Sequence, residues 1–302
     1  MKNKKYYISF GNGIFKKQLE RVCNEAKEVG WFDEVIADTP FTIKDFINEH
    51  KEFFNNNPRG YGYWIWKPYI ILRQLLKMDD GDYLFYTDAG SKILPHKESR
   101  FKEYLDKLKQ QPILISGEES QYFQHQFTKL SLLKEFGLEN DSEFLNSSMG
   151  ECGLIAIRKC KESIDLIKTW SELIIADNYI NTNDDLGDGE QLDSFIEHRH
   201  DQSILNILFW LNGYKTLNVS DCYGLGPFFS SRRTDTGMRE FAADWWRAEP
   251  DYIDVISHPT TVEYLNSKTD PNWWKNQKDY NPKTMFVEND YLHHKWVEYN
   301  HS

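Results

Sequence analysis

No run of the 302-residue sequence approaches the roughly 20 consecutive apolar residues that span a bilayer, so at most peripheral membrane contact is expected. Cysteine is scarce. Cys23, Cys152, Cys160 and Cys222 form no CxxC pair and are too few for a disulfide scaffold, which makes reduced thiols the expectation. Positive charge is also short: 36 Lys and Arg face 47 Asp and Glu, a net charge of -11. Polyanion binding needs clustered cations, and no nucleic-acid partner is expected. The opening segment passes from a few lysines straight into a strand-like Tyr6–Phe10, without the apolar core and small-residue cleavage site of a secretory signal. The expected location is cytoplasmic. Internal repeats and low-complexity linkers are missing too.

What the sequence has is aromatic rings and an alternation of elements. Aromatic residues make up 15% of the chain, with 17 Tyr and 10 Trp, and rings with a polar edge suit sugars and bases. Tyr6–Phe10 reads as a strand. Ile14, Leu19, Val22 and Ala26 then recur at helical spacing until Gly30. A short strand follows at Glu34–Ala37, a helix at Phe41–Phe54, a helix at Trp66–Met78 and a strand at Tyr83–Tyr86. Further strands are expected at Ile113–Ser116, Gly153–Ile157 and Thr216–Val219, with helices at Glu98–Lys109, Glu162–Ala176 and Gln202–Leu211. The alternation predicts an α/β fold with a mostly parallel central sheet flanked by helices. Residues 1–224 are expected to form the core. After Gly224 the regularity fades into paired tryptophans and a lone strand-like Ile253–Ile256, so 225–302 reads as an irregular C-terminal elaboration packed on the core.

Three constellations carry chemistry. In the first, a glycine and aromatic turn bearing Arg59, Trp64 and Lys67 precedes a strand that runs out at Thr87-Asp88-Ala89-Gly90. Ligands of open α/β sheets bind beyond the carboxyl ends of strands, and cations beside a carboxylate there suit an anionic nucleotide. The competing reading is a strand-ending turn, with Asp88 bonding the backbone and Gly90 supplying positive φ. In the second, His198-Arg199-His200-Asp201-Gln202 opens an amphipathic helix. An N-cap accounts for one Asp at about 1 kcal/mol, but not for two imidazoles, a guanidinium and an amide beside it. In the third, Asn146–Gly153 places small residues and Glu151 just before a strand. Phe10 and Gly11, after the first strand, are candidates for cradling a base and ribose, although a GxG turn is equally structural. His258, after the late strand, is a candidate metal or phosphate contact.

The blocks RGYGYWIWKPYIIL (59–72), GDYLFYTDAG (81–90) and EHRHDQSILNIL (197–208), in that order, resemble a family of GT-A type nucleotide-sugar glycosyltransferases found in bacterial polysaccharide clusters and large DNA viruses. That resemblance implies a Rossmann-like core, a nucleoside-diphosphate sugar donor (UDP-linked by preference), a glycan hydroxyl as acceptor, and Mn²⁺ or Mg²⁺ as cofactor. It also implies a cytoplasmic setting, that of the host cell for a viral source, and puts the C-terminal elaboration on the acceptor side. Asp88 matches the first carboxylate of the family's DxD signature, with Gly90 where the second would stand, and His258 is the candidate to complete a metal site. Asp201 and Gln202 match an Asp-Gln pair that faces the transferred sugar and the acceptor. Asp201 and Glu151 are therefore the catalytic candidates, and Phe10, Gly11, Arg59, Trp64, Lys67, Thr87, Asp88, Ala89, Gly90, His200 and Gln202 the donor-binding ones. Two other classes remain open. A lectin-like binding protein would use the same rings and carboxylates without catalysis. A sugar nucleotidyltransferase would need a glycine-rich, cationic phosphate loop near the N-terminus, which Gly11-Asn12-Gly13 does not supply.

Overall fold

Strand β1, Lys5–Phe10, is buried along nearly its whole length. Tyr6, Ile8 and Phe10 enter one apolar cluster and Tyr7 the other, the pattern of a central strand with helices over both faces. In the computed structural model, residues 3–186 and 189–231 are described, together with the backbone of 233–234 and 237–238. The fold below is that of the unit 1–236. The expected strand Ile253–Ile256 and His258 lie outside the described residues.

The remaining sheet strands are β2 (Glu34–Asp38), β3 (Tyr83–Thr87), β5 (Ile113–Glu118), β6 (Glu151–Arg158) and β7 (Leu217–Asn218), with a small pair made by β4 (Lys92–Ile93) and β8 (Phe228–Phe229). The six-stranded sheet has the order β2-β1-β3-β6-β5-β7. The pairings β1 with β2, β1 with β3 and β5 with β7 are parallel. β6 runs antiparallel to both neighbours, a reversal inside a mostly parallel sheet. The β4–β8 pair, which sequence pattern did not announce, ties Phe228 and Phe229 to the segment after β3.

Five longer helices cover the sheet. α1 (Lys16–Glu28) buries Leu19, Val22, Cys23 and Ala26, and α3 (Glu98–Gln110) buries Phe101, Tyr104 and Leu108, all in the cluster that holds Tyr7 and Phe85. On the other face, with Ile8, Leu84 and Tyr86, lie α2 (Trp66–Leu75), α4 (Lys161–Leu173) and α5 (His200–Leu211). Pro68 is tolerated in the first turn of α2 because amides there have no intrahelical partner to lose. The helix expected over Phe41–Phe54 is two short ones, Lys44–Glu49 and Lys51–Asn56. His50 breaks it with non-helical backbone, and its imidazole Nδ1 bonds the Tyr179 hydroxyl at 2.8 Å.

Register decides what meets at the site. Phe10 is opposite Asp38, and Ile8 opposite Tyr86, so β1, β2 and β3 end along one sheet edge. Because β6 is reversed, Leu154 pairs with Thr87 and the beginning of β6 arrives at that same edge. The Asp88 amide donates to the Gly153 carbonyl at 3.0 Å.

Candidate active site

The turn before α2 is built from five consecutive residues of positive φ: Gly60 (57°), Tyr61 (54°), Gly62 (75°), Tyr63 (48°) and Trp64 (61°). Left-handed backbone costs a residue with a Cβ about 1–2 kcal/mol, so packing must hold it. Tyr61 stacks on Phe10 and lies against Phe54, Tyr63 stacks on the His200 ring at 4.0 Å, and the Trp66 indole donates to the Gly60 carbonyl at 3.1 Å. The two glycines are required by space as well as by φ. A Cβ on Gly60 would stand 2.3 Å from the Trp64 ring, and one on Gly62 2.8 Å from Phe54. Gly60→Ala is expected to lower the unfolding free energy by roughly 2–4 kcal/mol, the sum of overpacking and backbone strain. Urea unfolding reads this out directly, and a loss below about 0.5 kcal/mol would contradict the turn.

This turn aims Lys67 inward. Its ammonium is 3.0 Å from Asp201 Oδ2 and 3.7 Å from Asp88 Oδ1, and donates to the Cys152 carbonyl at 3.2 Å. The side chains of Lys67 and Asp201 are 3% and 5% exposed, that of Asp88 48%. Two carboxylates separated by more than a hundred positions thus share one buried cation, and one of them faces outward. The Tyr86 hydroxyl donates to Asp88 Oδ1 at 2.5 Å. Burial opposes the charge on Lys67, but Asp201 and then Asp88 outweigh it and hold its pKa above the ordinary value. Burial pushes the Asp201 carboxyl up to about 6 against the pull of Lys67, leaving it largely ionised at neutral pH.

Asp201 lies inside the first turn of α5. The residue before the helix, Arg199, provides no side-chain cap, so the carboxylate serves Lys67 rather than the N-cap role considered from sequence. Both imidazoles of the same block bond backbone carbonyls. His198 Nε2 bonds the Asn181 carbonyl and His200 Nδ1 the Thr182 carbonyl. Burial lowers both pKa values, that of His200 to about 4. Gln202 Nε2 donates to the Gly150 carbonyl at 2.8 Å. Asn206 accepts from the Gly150 amide and donates to the same carbonyl, so α5 clamps the entry of β6.

The other candidates divide. Glu151, half-buried at the start of β6, accepts from the Tyr223 hydroxyl at 3.3 Å. Arg59, expected to meet an anionic ligand, pairs with Glu197 at 3.1 Å and is half exposed. Trp64 packs its partly buried ring beside His200. Phe10 is buried and stacked on Trp66 at 4.0 Å. Gly11 admits no side chain, since a Cβ would stand 2.7 Å from the Phe15 carbonyl oxygen. Thr87 bonds the Tyr7 hydroxyl on the opposite sheet face, the Ala89 carbonyl accepts from Arg21, and that of Gly90 from Ser231. These last five are packed or bonded within the fold around the site. Sequence reading passed over Tyr86 and the Cys152 carbonyl as site groups. The signal that could have found Tyr86 is period-two alternation, which puts it two residues before Asp88 on the same strand face.

No protein-family model and no curated protein sequence matches the chain. Among solved structures, the apo form of mouse xyloside xylosyltransferase 1 is similar at 12% identity and a TM-score of 0.41, covering 73% of this chain and 85% of that one. A glycosyltransferase involved in glycosylation of the major capsid of PBCV-1 is similar at 10% identity and a TM-score of 0.33, covering 58% and 68%.

Proposed function

We propose that the chain is a glycosyltransferase that moves a sugar from a nucleoside-diphosphate donor, UDP-linked by preference, to a hydroxyl of a glycan acceptor. The observation that carries this reading is the convergence of Asp88 and Asp201 on the Lys67 ammonium at the carboxyl edge of the sheet, where open α/β folds take their ligands. The three sequence blocks that resemble nucleotide-sugar transferases supply these three residues.

In this reading Asp88 is the carboxylate presented to the incoming donor, being half exposed and oriented by Tyr86 and Lys67. Asp201, kept from water and ionised, opposes the positive charge that grows on the sugar as the bond to the leaving diphosphate breaks. Fixed charges in a water-excluded site are worth more than in solution and need no reorganisation during the reaction. Gln202 and Asn206 hold the Gly150 backbone, and with it the start of β6, beside this pair. Glu151, at the same edge, is assigned to the acceptor side as the group that takes the hydroxyl proton.

The test is a thermal-shift panel of UDP, UDP-sugars and GDP-mannose against the corresponding free sugars. Ligand at about 100 times its Kd stabilises the native state by roughly 2.7 kcal/mol, so a rise of several degrees is expected for one nucleotide class. A shift with free glycans alone, and none with any nucleotide, would replace the transferase with a lectin-like protein.

A further inference from the structure

The resemblance that suggests a transferase also implies a divalent ion, and the described residues at the site fit one poorly. Asp88 Oδ1 is already engaged by the Tyr86 hydroxyl and lies 3.7 Å from an ammonium. Asp201 is buried against the same ammonium. An ion bridging the two carboxylates would need the space that Lys67 Nζ fills. On the other side of Asp88, Oδ2 looks over Gly153: a Cβ there would meet Oδ2 at 3.3 Å and the Ser230 hydroxyl at 3.7 Å. Neither neighbour is a strong ligand for a hard cation, which prefers carboxylates and phosphate oxygens. Among the described residues there is no grouping of three or more His, Cys, Asp or Glu side chains that could hold a metal.

We propose that the permanent cation of this site is the protein's own, the Lys67 ammonium fixed between Asp88 and Asp201, and that the donor binds without a divalent ion. The proposal rests on the transferase reading for its ligand, and on the packing of Lys67 for its cation. One ammonium against two carboxylates leaves a single net negative charge, too little to recruit a dication tightly from solution. The ammonium is permanent because it enters with the fold: the left-handed turn at 60–64 sets the direction of α2, and the Cys152 carbonyl accepts a hydrogen bond from it. Lys67 would then act through its neighbours, setting the charge and orientation of Asp88, which would accept from hydroxyls of the donor's sugar rather than face its diphosphate.

Two calorimetric titrations of the full chain decide the matter. In the first, Mn²⁺ alone is titrated into wild type and into Asp88→Asn. Wild type is expected to show no binding tighter than about 1 mM, and the variant to look the same. Micromolar Mn²⁺ binding that Asp88→Asn abolishes would overturn the proposal. In the second, the nucleotide sugars of the thermal panel are titrated in EDTA and in Mn²⁺, and the two affinities are expected to agree within about twofold. Binding seen only with Mn²⁺ overturns the metal-free site while leaving the transferase reading intact. Binding in neither condition removes the transferase reading, and the Mn²⁺ titration still decides whether the carboxylates form a metal site. A Lys67→Met chain that folds should gain at least tenfold in Mn²⁺ affinity, because both carboxylates lose their counter-charge. A folded variant without that gain also counts against the ammonium as the site's cation.

Discussion

Lys67→Met is expected to lower the unfolding free energy by about 3–5 kcal/mol at pH 7–8, the cost of leaving a buried charge without its partner. For a unit the size of residues 1–236 this corresponds to a fall of roughly 6–20 °C in melting temperature. Methionine fills much of the lysine stem's volume, so the loss reports charge more than packing. The pH dependence separates the two. The Asp201 carboxyl titrates near 6 in the native state, raised chiefly by burial, and near 3.9 when unfolded. Its raised pKa means that the native state holds the proton more tightly. The associated stabilisation, about 3 kcal/mol, is complete below about pH 4 and lost as pH rises through 6. Without Lys67 the carboxyl pKa climbs further, so the variant's deficit should be largest above pH 7 and shrink on acidification toward pH 5. Urea midpoints of both proteins from pH 5 to 8 give the curve. A deficit under about 1 kcal/mol that does not change with pH would show that Asp201 is not a buried partner of Lys67.

Asp201→Asn is expected to reduce donor turnover by about 10²–10³-fold, the range for removing one preorganised electrostatic group, while donor affinity stays within about threefold. Asparagine keeps the shape of the side chain and removes its charge, and Lys67 retains Asp88 as a counter-ion. Stability should therefore fall less than in Lys67→Met. Release of free UDP, or transfer to a glycan, measured beside donor titration separates rate from binding. A purely structural Asp201 would lower the melting temperature and leave the rate per folded molecule unchanged, and that outcome would end its assigned role.

Much of the site was legible at the level of residue types. Asp88 followed from a strand that runs out into Thr-Asp-Ala-Gly, and Asp201 from a polar block too rich for a cap. The structure brings the two, far apart in the chain, to the same Lys67 ammonium. The roles of the cations were less legible. Arg59 and Lys67 look alike in sequence as positive charges near a glycine turn, yet Arg59 pairs with Glu197 at the surface and Lys67 is buried. Whether a lysine faces a ligand or a neighbouring carboxylate depends on which way its helix is rolled. Here the roll follows from the φ values of Gly60 to Trp64, which residue patterns do not encode. His200 was likewise a donor-binding candidate by type; its buried ring bonds the Thr182 carbonyl through Nδ1 and stacks on Tyr63.

Local pattern alone determined the α/β class, the order of the main elements and the strand that delivers Asp88, because hydrophobic period and turn residues act over a few positions. The direction of β6 was decided only in three dimensions. Alternating elements favour a parallel strand, which would have sent Glu151 and Gly153 to the far edge of the sheet. The reversed strand pairs Leu154 with Thr87 and sets Cys152 and Gly153 beside Lys67 and Asp88. A strand's direction is chosen by which long-range partners bury its two faces and satisfy its amides, and those partners, β3 and β5, lie tens of residues away in the chain.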